Sequence, residues 1–190
     1  MRVFVTDPPA ALVSLEEAKD HLRVRHDDED ALIAAYIAAA CAHIDGPNGW
    51  LGRALGLQTL EARLPAFGTC GWIELPYPPA VSIEGIEYVD QAGATVTLAE
   101  GEYELAGNLL RPTWPGSFPA ADWRGAAGET VRIRWVAGYE ELPAPIRAAI
   151  LLMVGDLYAN RSTVVVGAGA AAIPMSTTAE HLLSPFRMFA

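Results

Sequence analysis

Two hydrophobic periods divide the chain. Between Ser14 and Ile44 apolar residues recur every three or four positions, as on one face of a helix; from Leu57 to Ala137 they recur every second position, as on one face of a strand; from Ala144 the helical period returns. The first helical stretch opens on Ser14, with Glu17 three residues later forming a capping box and Leu15, Ala18 and Leu22 its apolar side. The second is predicted to start at Asp27 or Asp28, where the helix dipole favours acidic residues. It carries Ile33, Ile37, Ala40, Cys41 and Ile44 as its stripe and stops at Asp45-Gly46-Pro47. Before both, residues 1–13 read as an extended lead-in, because Pro8 and Pro9 forbid helix there.

The period-two region predicts strands at 58–64, 72–75, 81–90, 94–98, 102–105, 109–112 and 130–137, with turns at Asp90-Gln91-Ala92-Gly93 and Gly107-Asn108. Such short, closely linked strands imply an antiparallel sheet or small sandwich. In TVRIRWVA, alternation sets Val131, Ile133 and Trp135 on one face and Arg132, Arg134 and Val136 on the other. A long loop between Pro112 and Gly128 carries Trp114, Phe118 and Trp123, aromatics expected to lie back on the core.

The segment APIRAAILLMVGDLYANR, 144–161, is predicted to be the central helix of the fold. Pro145 suits its first turn. Ile146, Ile150, Met153 and Leu157 make one stripe and Leu151, Val154 and Tyr158 a second, so the helix is apolar most of the way round and needs partners on several sides. After it comes STVVVGAGAAAIPMS, small, apolar and aperiodic, expected to be mobile; Thr177 or Thr178 then starts a short helix broken at Pro185. The expected fold class is α+β: a small helical bundle of N-terminal helices plus the long C-terminal helix, with an inserted antiparallel β-sheet or sandwich lobe. The corresponding boundaries are 1–56 for the N-terminal helices, 57–139 for the β lobe, 140–161 for the central helix and 162–190 for a mobile loop and tail.

Composition narrows what this architecture could do. The net charge is −10, with one lysine, Lys19, among the basic residues. That balance opposes tight phosphate binding, which relies on a basic patch and counterion release. The hydrophobic content of 52% hints at surface covered by other subunits, although alanine supplies much of it. Cys41 and Cys70 do not make a disulfide framework, so a reducing compartment is expected. MRVFVTDPP lacks the apolar core of a signal peptide, and no stretch is apolar enough for a membrane span.

Candidate chemistry fails on context. Gly167, Gly169 and Ala172 match a G-x-G-x-x-A dinucleotide fingerprint, but Ile173-Pro174 follows at once and leaves no room for a βαβ unit. His21, His26, Asp27, Asp28 and Asp30 could be taken for metal ligands, yet they lack calcium-loop spacing and read better as an acidic helix start. No serine sits in a G-x-S-x-G elbow and neither cysteine in a nucleophile signature. No enzyme, cofactor or metal is expected. Arg132 and Arg134 could contact nucleic acid from a sheet face; pairing with the many glutamates, such as Glu84, Glu87, Glu102 and Glu104, is the plainer expectation.

Taken together, VSLEEAKDHLRVRHDDEDALIAAYIAAACAHI, LPYPPAVSIEGIEYVDQAGA, VRIRWVAGY and AAILLMVGDLYANRS, in that order, resemble the tailed-phage head–tail connector, or adaptor, family, including gene transfer agent and prophage relatives. The loop 162–173 departs from that pattern in being small and apolar. The resemblance implies a structural protein at the head–tail junction of a virion or phage-like particle, assembled in the bacterial cytoplasm. It would sit on the portal protein as a ring of about twelve copies and extend the DNA channel, with DNA passing loosely; it would also offer a platform to a tail or stopper protein. It further implies that the C-terminal end reaches the portal, here Phe186, Arg187, Met188 and Phe189. Arg147 and Arg161, at the two ends of the central helix, become further candidates for portal or inter-subunit contacts.

Overall fold

The computed structural model describes residues 1–68, 70–121, 129–160 and 176–188. It is α+β, and its residues form two compact units: Met1–Ala10 with Arg53–Glu140, and Ala11–Gly52 with Glu141–Ala190.

The first unit holds all the strands among the described residues. These are β1 (Arg2–Asp7), β2 (Gln58–Leu64), β3 (Ile73–Glu74), β4 (Ala80–Val89), β5 (Thr95–Thr97), β6 (Tyr103–Ala106), β7 (Leu109–Pro112) and β8 (Val131–Ala137). Five of them form one antiparallel sheet in the order β1-β2-β8-β4-β5, and three form another in the order β3-β7-β6. The alternation read from the sequence holds along β8: Val131, Ile133, Trp135 and Ala137 are buried, whereas Arg132 and Arg134 are exposed. Residues from both sheets join one apolar cluster, with Leu60, Ile86, Ile133 and Trp135 from the larger and Ile73 and Leu110 from the smaller. Burying each such side chain contributes roughly 1.5–3 kcal/mol.

One strand lies where a lead-in was expected. Residues 2–7 pair with β2 from Arg2↔Arg63 to Asp7↔Thr59, with a register shift between Val5 and Asp7. Val3, Phe4, Val5 and Thr6 favour extended backbone, and Pro8 and Pro9 end the strand rather than prevent it. The aromatic loop also divides. Phe118 stacks on Phe67 at 4.8 Å, as expected, but Trp114 is 90% exposed; Trp123 lies outside the described residues.

The second unit is helical, with α1 (Leu15–Leu22), α2 (Asp30–Ile44), α3 (Ala144–Ala159) and α4 (Thr177–Leu183). Ser14 caps α1 as expected, its hydroxyl accepting from the Glu17 N–H at 3.1 Å. The cap position of α2 is Glu29 rather than Asp27 or Asp28. Asp27 instead joins Asp30 in binding Lys19, whose ammonium donates to them at 2.7 and 2.6 Å and so ties α1 to the start of α2. Pro145 lies in the first turn of α3, whose buried residues are Ile146, Ala149, Ile150, Met153 and Val154. α3 packs against α1, α2 and α4. Its apolar surface is nonetheless narrower than its composition implies, since Leu157 is exposed and the Tyr158 hydroxyl donates to Glu29. α4 starts at Thr177, as expected, with Ser176 as its cap, and a 3₁₀ turn follows at Ser184–Phe186. Ala179 and Leu183 are wholly buried, so this part of the expected tail is packed structure. Residues 161–175, which include the glycine-rich stretch, lie outside the described residues.

Candidate functional site

Three of the C-terminal candidates are held on the helical unit. Met188 donates its backbone N–H to the Leu51 carbonyl at 2.9 Å, and the Arg187 guanidinium lies over the Trp50 ring at 4.1 Å. The close approach needs Gly52, whose φ of +64° suits glycine; a Cβ there would stand 3.2 Å from the Met188 carbonyl oxygen. Phe186 closes the 3₁₀ turn and is half-buried, while the Met188 side chain is exposed. The structure thus brings Phe186, Arg187 and Met188 to the turn that follows α2. Phe189 and Arg161 lie outside the described residues. Arg147 is elsewhere on the unit, donating to Glu17 at 3.2 Å and so linking α3 to α1.

The second candidate surface is the outer face of the five-stranded sheet. Register places Phe4, Glu61, Arg134 and Gly85 in one row and Arg2, Arg63, Arg132 and Glu87 in the next. Glu61 is the centre of this face. Its carboxylate accepts from Arg63 Nε at 2.7 Å and from Arg134 Nε at 2.8 Å, with its side chain only 4% exposed. Burial pushes the Glu61 carboxyl up, but the hydrogen bonds and charges of Arg134 and Arg63 outweigh it and hold the group below its ordinary value. Arg63 also donates to Glu129 at 3.3 Å and lies over the Phe4 ring at 4.9 Å, and Arg2 reaches Glu129 at 3.3 Å. The pairing of these arginines with glutamates, expected from the sequence, is therefore seen at Arg134, whose hydrogen-bonded partner is Glu61 while Glu87 and Glu84 act on it through charge alone. Sequence reading missed Glu61 and Arg2. Alternation in QTLEARL puts Glu61 on the polar face, but nothing local shows that two arginines cover it.

A shallow depression of about 220 Å³ lies on the same face, lined by Glu84, Gly85, Glu87, Thr97, Arg132 and Arg134. It carries both charges and no histidine, cysteine or serine. Among the described residues no three His, Cys, Asp or Glu side chains converge as metal ligands. Burial, with Asp45 nearby, pushes the Cys41 thiol up to about 11, which leaves it protonated and unreactive at neutral pH. No helix among the described residues is long and apolar enough to cross a membrane.

Residues 12–71, covering α1, α2, β2 and the start of the following loop, match the family described as phage gp6-like head-tail connector protein. The likeness to head–tail connectors holds. Solved structures resemble the chain over its whole fold. The neck of an empty gene transfer agent particle, in C6 symmetry, is 22% identical with a TM-score of 0.77, the match covering 100% of this chain and 97% of that one. A chain of the native gene transfer agent virion is 24% identical with a TM-score of 0.74, covering 100% and 97%. The neck of the native particle, in C12 symmetry, is 21% identical with a TM-score of 0.66, covering 98% and 96%. No curated protein sequence matches the chain.

Proposed function

We propose that the chain is a structural head–tail connector of a tailed phage or gene transfer agent, which forms a ring on the portal, extends the DNA channel and gives the tail its attachment platform. The observation that carries this reading is the coincidence of a connector-family match at residues 12–71 with a fold match to gene transfer agent necks over the entire chain. The C6 and C12 symmetry of those necks supports a ring of copies. The described surface is consistent with a structural role: it offers paired charges and exposed aromatics. In this reading Phe186, Arg187 and Met188, set on the turn after α2, and Arg147 on α3 contact the portal or a neighbouring subunit.

Co-sedimentation tests it. Purified chain is expected to travel with heads that carry a portal and to stay in the supernatant with heads that lack one. Equal recovery with both, or with neither, overturns the reading.

A further inference from the structure

Within the strand unit, the five-stranded sheet is open at both ends. β1 pairs only with β2 and β5 only with β4, so among the described residues each leaves one row of backbone N–H and C=O groups without a strand partner. Such edges are commonly blunted by lysine, by proline or by a charge turned inward. Neither strand uses these devices: Val3-Phe4-Val5-Thr6 and Thr95-Val96-Thr97 hold no charge and no proline. The register shift after Val5 leaves the pairing from Arg2 to Val5 regular. β1 also carries more apolar surface than one neighbour covers. Of the nine large apolar side chains exposed among the described residues, three, Met1, Phe4 and Val5, lie in the first five positions of the chain. Val5 stands on the core side of the sheet, across from Leu60, yet is 42% exposed, because no strand lies beyond it. At the opposite end Val96 holds the same side, across from Tyr88, and is half-buried.

We infer that β1 of one chain pairs with β5 of the next, so that the larger sheets of neighbouring copies join edge to edge. The inference rests on the ring reading above and names the surfaces that would build it. β1 and β5 are opposite ends of one sheet, so the contact uses a different surface on each copy. Such a heterologous contact repeats around a ring, whereas β1 on β1 would close at two copies. All four pairings within the sheet are antiparallel, which runs β1, β8 and β5 in one direction. Rotation about an axis along the strands keeps that direction, so β1 meets the neighbouring β5 as a parallel pair. It also keeps core side beside core side. Val3 and Val5 then lie next to Val96 of the neighbouring copy, which covers the apolar surface that β1 exposes, while main-chain bonds along both edges supply affinity.

Cross-linking on particles tests it. A particle-producing strain whose own copy of the gene is deleted is supplied with chains in which Cys70→Ser removes the exposed thiol. Val5→Cys and Thr95→Cys are added singly or together, and thermal melts are compared with wild type to confirm folding. Within one chain the two new thiols are four strand spacings apart, about 19 Å, beyond the reach of a short bis-maleimide, so every product joins two copies. On purified heads the double variant is expected to give a ladder of dimers, trimers and higher multimers, and neither single variant any. No ladder, or dimers from Val5→Cys alone, overturns the inference and leaves the connector reading standing. Chain recovered per head is the second measurement. Val5→Lys, which places a charge on the core side of the edge, is expected to fall about tenfold below wild type, and wild-type recovery overturns the inference. Absence of the wild-type chain from heads overturns the connector reading itself.

Discussion

The Glu61 carboxylate is buried yet bonded by Arg63 and Arg134, so substitution removes the acceptor that fixes both. Glu61→Gln is expected to destabilise the strand unit by about 2 kcal/mol at pH 7, below the cost of breaking a fully buried pair because both arginines keep contact with water. Urea denaturation of the two proteins measures this. The sign with pH follows from the lowered carboxyl: its contribution is complete above the ordinary value of 4.5 and is lost as pH falls through the folded value. The gap between wild type and variant should therefore be full at pH 7 and shrink below about pH 4.5. A gap independent of pH would show that packing, not charge, accounts for it. Trp135 is the contrasting case. Its Nε1 is buried with no hydrogen-bond partner among the described residues, and the structure offers no reason for it beyond the volume the ring fills.

Among the elements, those with a buried face were legible in the sequence and those defined by distant partners were not. β8 and α3 could be read because alternation and helical spacing report burial directly. β1 could not: it is an edge strand with little buried surface, and its partner β2 lies more than fifty residues away. The α2 cap was misplaced for a similar reason, since Lys19, itself on α1, claims Asp27 and Asp30. Lys19→Ala is expected to lower the melting temperature of the helical unit, followed by circular dichroism, as it frees two acids at one joint. The exit from β8 is more demanding. Gly138 has a φ of +119°, and a Cβ there would run into the Gly56 carbonyl oxygen. Its N–H donates to Pro79 at 2.9 Å while Tyr139 donates to Leu55 at 3.1 Å. Backbone is the obstacle, so it cannot turn aside as a side chain would. Gly138→Ala is expected to cost about 3 kcal/mol or more, visible as a lower urea midpoint. A neutral result would mean that this crossing yields more readily than its backbone contacts imply.

For the whole molecule, the fold class and the connector resemblance were readable in the sequence, because both depend on the order of elements. The candidate contacts were less so. The C-terminal group reads as a mobile anchor in sequence, yet its backbone is bonded to Leu51 and its arginine lies over Trp50. Truncation after Leu183 is therefore expected to lower the melting temperature of the helical unit, and point substitution at the exposed Met188 side chain is the cleaner probe of docking. In the ring proposed above, charge bears on whether the chain would hold DNA or let it pass. At −10 per chain, a ring of about twelve would carry on the order of −120 charges, which repels phosphates and allows a duplex to slide. The arginines of the large sheet do not reverse this, since Glu61 and Glu129 already engage Arg134, Arg63 and Arg2. At low salt, where counterion release is most favourable, the chain at about 10 μM is expected to leave duplex DNA unretarded in a gel, and replacing Arg132 and Arg134 by alanine is expected to change nothing. Retardation that weakens steeply with salt and disappears in the alanine variant would instead make that face a nucleic-acid-binding surface.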